Sequence, residues 1–222
     1  MNLEELKEQF SLNANKEVAV QMEAYMRNQF PYLGVTSKQR KDLSKAFIKE
    51  FKQEAKRTDT INWQVVHQLW SMKHREFQYI ATDCLAATKG FLKADDFIHL
   101  QILVTSRSWW DSVDNLVKTI GFLALKNPSL EVRLLDWSKA DNLWLRRAAI
   151  LHQLGRKEST DTVLMTTILD QNLNDKEFFI NKAIGWALRD YSKVNPTWVS
   201  NYIDSRKEKL SNLSIKEGSK YI

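Results

Sequence analysis

The chain has 222 residues, 43% hydrophobic and 27% charged, with three prolines, six glycines and one cysteine. A sheet protein of this length needs many more turn residues, so the composition favours an all-α fold, and Cys84 alone can form neither an intramolecular disulfide nor a cysteine zinc cluster. The formal net charge of +6 and pI of about 9.3 suit a polyanionic partner as well as an ordinary basic surface.

Apolar spacing predicts helices, in chain order, over 2–11, 16–29, 37–54, 62–72, 75–89, 94–105, 109–126, 129–137, 142–154, 159–171, 176–192, 196–204 and 213–221. Breaks fall at Phe30–Gly34, Asn127–Ser129, Leu154–Arg156 and Asn195–Thr197, and Thr36 and Asn195 stand where N-caps are needed. No stretch alternates with period two long enough for a strand. The opening MNLEELKEQF is acidic and amphipathic, unlike a signal peptide, and no apolar run reaches the roughly 18 residues of a membrane span, so a cytoplasmic protein is expected.

Many helices without a composition shift read as one domain over 1–222, an array of stacked helix pairs. A loose internal echo supports this: Leu69-Trp70 with Arg75-Glu76, and Leu143-Trp144 with Arg146-Arg147. A unit of about 35–40 residues is in the range of HEAT-like and armadillo-like repeats, whose concave side usually binds the partner.

Placing residues at about 100° per position singles out a few on unexpected faces. In 178–191, Ile180, Ala183, Ile184, Ala187, Leu188 and Tyr191 form the apolar stripe, while Trp186 lies opposite with Lys182 and Arg189. An indole among cations suits a nucleic-acid contact, or it caps the next helix pair. In 108–124, Trp109 joins Val113, Leu116, Val117, Ile120 and Leu123 on the core stripe. Trp110 and Asp114 share its flank one turn apart, with Lys118 and Gly121 close by. Asp114 either serves a site or pairs with Lys118; Asp111 complements the helix dipole; Gly121 leaves room for a close approach. In 143–151, Arg146 points away from the stripe and Arg147 falls at its edge, where it needs a carboxylate such as Asp114 or a phosphate.

No HExxH spacing involves the four histidines, and there is no phosphate loop, dinucleotide fingerprint or serine elbow. Cys84 sits in a plain helical pattern as a small hydrophobe. No metal and no cofactor is expected, and any chemistry must run on a carboxylate, aromatic rings and arginine.

The segments SWWDSVD at 108–114, NLWLRRAAILHQL at 142–154 and EFFINKAIGWALRDYSKVNP at 177–196 together resemble the AlkD-type bacterial DNA alkylation repair proteins. YMRNQFPYLGV at 25–35 and LWSMKHREFQYIA at 69–81 are similar to the same family's upstream motifs. The resemblance implies a superhelix of HEAT-like repeats with a basic concave face. It implies a glycosylase that removes N3- and N7-alkylated purines from duplex DNA without capturing the lesion in a deep pocket. It places Trp110, Asp114, Arg147 and Trp186 at the lesion and Tyr25 near the DNA. The family often carries glutamine after the Leu-Gly-Val run, where this chain has Thr36. Expected DNA contacts are Tyr25, Thr36, Lys118, Arg146, Lys182 and Arg189, and the protein is expected to act as a monomer. The alternatives are a non-catalytic HEAT-repeat protein that binds damaged or branched DNA, and a protein-interaction scaffold.

Overall fold

The computed structural model describes all 222 residues as thirteen α-helices joined by short turns, with no strand. The fold is all-α, as the scarcity of turn residues predicts. No helix is long and apolar enough to cross a membrane. The helices fall into two compact units, Met1–Lys93 and Ala94–Ile222.

The first unit holds α1 (Leu3–Leu12), α2 (Lys16–Tyr25), α3 (Ser37–Thr58), α4 (Trp63–Ser71) and α5 (Arg75–Thr88). Helices α3 and α4 both pack on α5, and α1 packs on α3. Leu6, Phe10, Phe47, Phe51, Val66, Leu69, Ile80 and Leu85 fill the core. Helix α2 ends at Tyr25 instead of continuing to 29, because Arg27 and Asn28 turn to φ 55° and 56° and their amides close back on Ala24 and Glu23 carbonyls. The following loop is tied down by a buried carboxylate. Glu76 Oε1 accepts the amides of Leu33, Gly34 and Val35 at 2.9, 2.9 and 3.2 Å. Gly34 has φ +81°, and a Cβ there would lie 2.0 Å from the Asn15 carbonyl oxygen, so only glycine fits. Cys84 is buried in this core, and burial pushes its thiol well above the usual range, in keeping with a small apolar residue.

The second unit holds α6 (Phe97–Thr105), α7 (Trp110–Lys126), α8 (Glu131–Trp137), α9 (Leu143–Leu151), α10 (Thr162–Asp170), α11 (Phe178–Ser192), α12 (Pro196–Ser205) and α13 (Asn212–Gly218). Helices α7, α9, α11 and α13 stack in that order. Helices α6, α8 and α12 flank α7, α9 and α11, and α10 also packs on α9. The tryptophans of the sequence echo do not hold equivalent places: Trp70 stands at the end of α4 and Trp144 at the start of α9.

Of the polar side chains that cap helices of this unit, Asn195 is the one predicted, and Asn142, Asp161 and Ser211 add to it. Asn142, Asp161 and Asn195 each accept first-turn amides of α9, α10 and α12. Helix α7 does not begin at 109. Trp109 is extended, at φ −158° and ψ 164°, and serves as the N-cap. Its ring therefore does not continue the α7 stripe. Gly121 does allow a close approach, but of a neighbouring helix: a Cβ there would lie 2.1 Å from the His152 carbonyl oxygen at the end of α9. His152 itself is fully buried. Its Nδ1 donates to the Ala149 carbonyl at 2.6 Å, and burial lowers its pKa to about 4, so it stays neutral.

Candidate active site on the helix stack of the second unit

Helix α7 presents Val113, Leu116, Val117, Ile120 and Leu123 to the core, all buried. The remaining flank carries Trp110, Asp114 and Lys118 at successive turns: the first two half-buried, the lysine exposed. Asp114 does not pair with Lys118. Its partner is Arg147 on the adjacent α9. Arg147 Nε donates to Oδ1 and Nη2 to Oδ2, both at 2.8 Å, which is the parallel two-point geometry of a guanidinium on a carboxylate. The third direction of the guanidinium is used as well, because Nη1 donates to the Phe179 carbonyl of α11 at 2.6 Å. One side chain thus ties three stacked helices together.

The Arg147 side chain is 4% exposed and that of Asp114 16%. Three of the five Arg147 N–H groups are thus engaged, two of them by Asp114. Burial pushes the Asp114 carboxyl above the usual aspartate range. Hydrogen bonds and charge from Arg147 offset part of this, while Asp111, one turn earlier, adds to the rise. Asp111 is itself buried in the first turn of α7.

Beside this pair lies an aromatic cluster that periodicity did not reveal. Trp109, Trp144 and Phe179 meet at the beginnings of α7, α9 and α11. Ring centroids are 5.7 Å apart for Trp109–Trp144, 5.2 Å for Trp109–Phe179 and 5.1 Å for Trp144–Phe179. Phe178 extends the cluster from Phe179 at 5.4 Å and is 54% exposed. The signal was present in the paired phenylalanines of EFFINK, but a wheel of one helix does not show which neighbours it touches.

The α11 residues opposite the core have partners too. Lys182 Nζ and Arg189 Nη1 reach the two oxygens of Glu217 on α13 at 2.5 and 2.7 Å. The Lys182 hydrogen bond leads in holding the Glu217 carboxyl below its usual range, with both cations contributing charge. Trp186 is half-buried between these two cations in sequence. Next to it Gly185 permits contact with α13: a Cβ there would lie 2.5 Å from Glu217 Cβ. Arg146 pairs with Asp175, ahead of α11. Arg146, Lys182 and Arg189 are therefore cations with internal carboxylate partners, whereas Lys118 is exposed. In the first unit, Tyr25 is 72% exposed at the end of α2. Thr36 is the N-cap of α3: its Oγ1 accepts the Gln39 amide and its own amide donates to Gln39 Oε1. At the position where the resemblance leads one to expect glutamine, the threonine is used to start a helix.

Residues 6–222 match the family model described as DNA alkylation repair enzyme. A solved structure described as a predicted DNA alkylation repair enzyme from Enterococcus faecalis is similar over 94% of this chain and 96% of its own, with 34% identity and a TM-score of 0.86. AlkD2 from Streptococcus mutans superposes with a TM-score of 0.60 at 21% identity, over 79% of this chain and 90% of its own. The smu.31 protein of Streptococcus mutans UA159 superposes with a TM-score of 0.59 at 19% identity, over 83% and 98%. These last two likenesses are of fold. No curated protein sequence matches. A match over nearly the whole chain, joined to the 34% identity with the Enterococcus protein, establishes that the chain belongs to the DNA alkylation repair enzyme family.

Proposed function

We propose that this protein is a monofunctional DNA glycosylase that hydrolyses the N-glycosidic bond of cationic N3- and N7-alkylated purines in duplex DNA, the first step of base excision repair. The observation that carries the reading is the Asp114 carboxylate, half-buried yet held by Arg147, one turn from Trp110. A surface built only to grip phosphates has no use for a fixed carboxylate. In this reading the helices form HEAT-like repeats whose basic face takes the duplex, and the protein acts as a monomer.

Alkylation at N3 or N7 makes the purine cationic, so it departs with the bonding electrons and needs no general acid. The sugar left behind gains oxocarbenium character and must be met by water. Asp114 offers negative charge to that sugar, and each carboxylate oxygen keeps a lone pair beyond its bond to Arg147 with which to orient the water. The water oxygen bonds to the sugar carbon and its proton passes to solvent through Asp114. Trp110 and Trp186 present negative ring faces to the cationic sugar. Arg147 positions Asp114; Tyr25, Thr36, Lys118, Arg146, Lys182 and Arg189 lie along the DNA. No covalent intermediate is needed.

One observation favours a non-catalytic DNA-binding reading: both Asp114 oxygens already bond to Arg147, as in a purely structural ion pair. Incubation with duplex DNA bearing N7-methylguanine separates the two. The glycosylase releases free methylated base above the spontaneous rate, and a binding protein or scaffold does not.

The pH dependence follows from the raised Asp114 pKa. The ionised form is the active one, so single-turnover base release falls as pH drops through a value above the usual aspartate range of about 4. The sign for stability is opposite. The native state holds this proton more tightly than the unfolded chain, so its contribution diminishes as pH rises from the ordinary to the raised value. A rate profile flat down to the ordinary aspartate range would remove Asp114 from the rate-limiting chemistry.

A further inference from the structure

Helix α3 carries Lys38, Lys41, Lys45, Lys49, Lys52 and Lys56, spaced three, four, four, three and four residues apart. At about 100° per residue they fall within a sector of about 80°, and they run about 27 Å along the axis. All six are exposed. The buried face of α3 is a separate sector formed by Arg40, Ser44, Phe47, Phe51 and Ala55. The stripe begins two residues after the Thr36 cap and extends nearly the length of the longest helix in the chain.

None of the six lysines makes an ion pair, although carboxylates are near in sequence. Glu50 of α3 is taken by the N-terminal ammonium at 2.5 Å, and Glu54 by Asn62 Nδ2 at 2.9 Å. Asp42 is exposed beside the stripe and pairs with none of them. Lys7 and Lys93 of the same unit do find carboxylates, Glu4 and Asp59, at 2.7 and 3.2 Å. Like charges three and four positions apart repel on a helix, and Lys38 also opposes the positive end of the helix dipole. A row of this kind weakens its own helix unless an anion neutralises it.

We propose that the α3 stripe is a second DNA contact, a rail for the phosphate backbone of undamaged duplex, separate from the Asp114 site. A duplex presents one negative charge per about 1.7 Å of axis, so a 27 Å row of about six cations meets ample phosphate along its length. Flexible ammonium groups on an exposed helix follow a backbone without reading bases, which suits a protein that must travel along intact DNA to find lesions. The inference rests on the duplex-binding reading of the chain but not on glycosylase chemistry.

The test is the salt dependence of binding to an undamaged fluorescent duplex. Each lysine meeting a phosphate contributes about 0.9 to the slope of log affinity against log salt. Lys41→Gln/Lys45→Gln/Lys49→Gln is expected to lower that slope by about two to three and weaken binding roughly tenfold or more near 0.1 M salt. The control Lys16→Gln/Lys73→Gln/Lys207→Gln removes the same net charge and is expected to change the slope by less than about one. Base release from N7-methylguanine duplex at saturating protein should be unchanged in the stripe variant, so loss of the rail and loss of chemistry are read separately. An unchanged slope overturns the proposal. So does an equal loss in both variants, which would make affinity a matter of net charge. So does loss of binding to phosphatidylserine vesicles with the DNA slope intact, which would assign the row to a membrane surface.

Discussion

Asp114→Asn is expected to lower single-turnover release of N7-methylguanine by about 100-fold or more, with duplex affinity kept or improved. The substitution retains the shape of the side chain and removes the charge that would face the developing sugar cation. It also removes a negative group from a polyanion's binding site, so binding should not suffer. A price in stability comes with it, because an amide oxygen accepts only part of what two carboxylate oxygens accept from Arg147, and the buried guanidinium loses its counter-ion. The rate is therefore measured below the variant's own melting transition, with helix content checked beforehand. A variant that binds duplex and releases base at the wild-type rate would make the Asp114–Arg147 pair a structural feature only.

Arg147→Ala is expected to lower stability by about 3–5 kcal/mol. Three partners are stranded at once: both oxygens of Asp114 and the Phe179 carbonyl. Three helices of the stack lose their common tie, and the melting temperature should fall by roughly 10 °C. Arg147→Lys keeps the charge but not the planar fork, so it cannot serve Oδ1, Oδ2 and the carbonyl together and should recover only part of the loss. A double-mutant cycle with Asp114→Asn should give a coupling of about 1–3 kcal/mol. If the arginine acts on catalysis through Asp114, Arg147→Lys should also move the acid limb of the rate profile upward. A melting temperature within about 2 °C of wild type for Arg147→Ala would contradict the geometry.

Much of this was readable in the amino-acid order, and the remainder has a common physical cause. Helix number and positions followed from apolar spacing, and Thr36 and Asn195 cap where their side chains stand before helical runs. The shared flank of Trp110 and Asp114 follows from their i, i+4 spacing, and the edge position of Arg147 calls for a carboxylate such as Asp114. A helical wheel shows which face a residue occupies but not what the next helix puts against it. A wheel puts Trp109 on the core stripe of α7, yet it precedes the helix and packs on Trp144 and Phe179 instead. The room at Gly121 is filled by the His152 carbonyl, not by a ligand. Lys182 and Arg189 share Glu217, which lies 35 and 28 residues away in sequence. The lysines of α3 were visible as letters from the start. Their lack of partners, which gives them meaning, required knowing where Glu50 and Glu54 turn.

The most direct test of the account compares wild type and Asp114→Asn on one duplex holding a single N7-methylguanine, at saturating protein, with free base and abasic sites counted over time. Rapid release by the wild type is expected, with one abasic site for each base freed and no strand cleavage by the protein, and release close to the spontaneous rate by the variant. Wild-type release no faster than spontaneous, on duplex shown to be bound, would contradict the glycosylase reading.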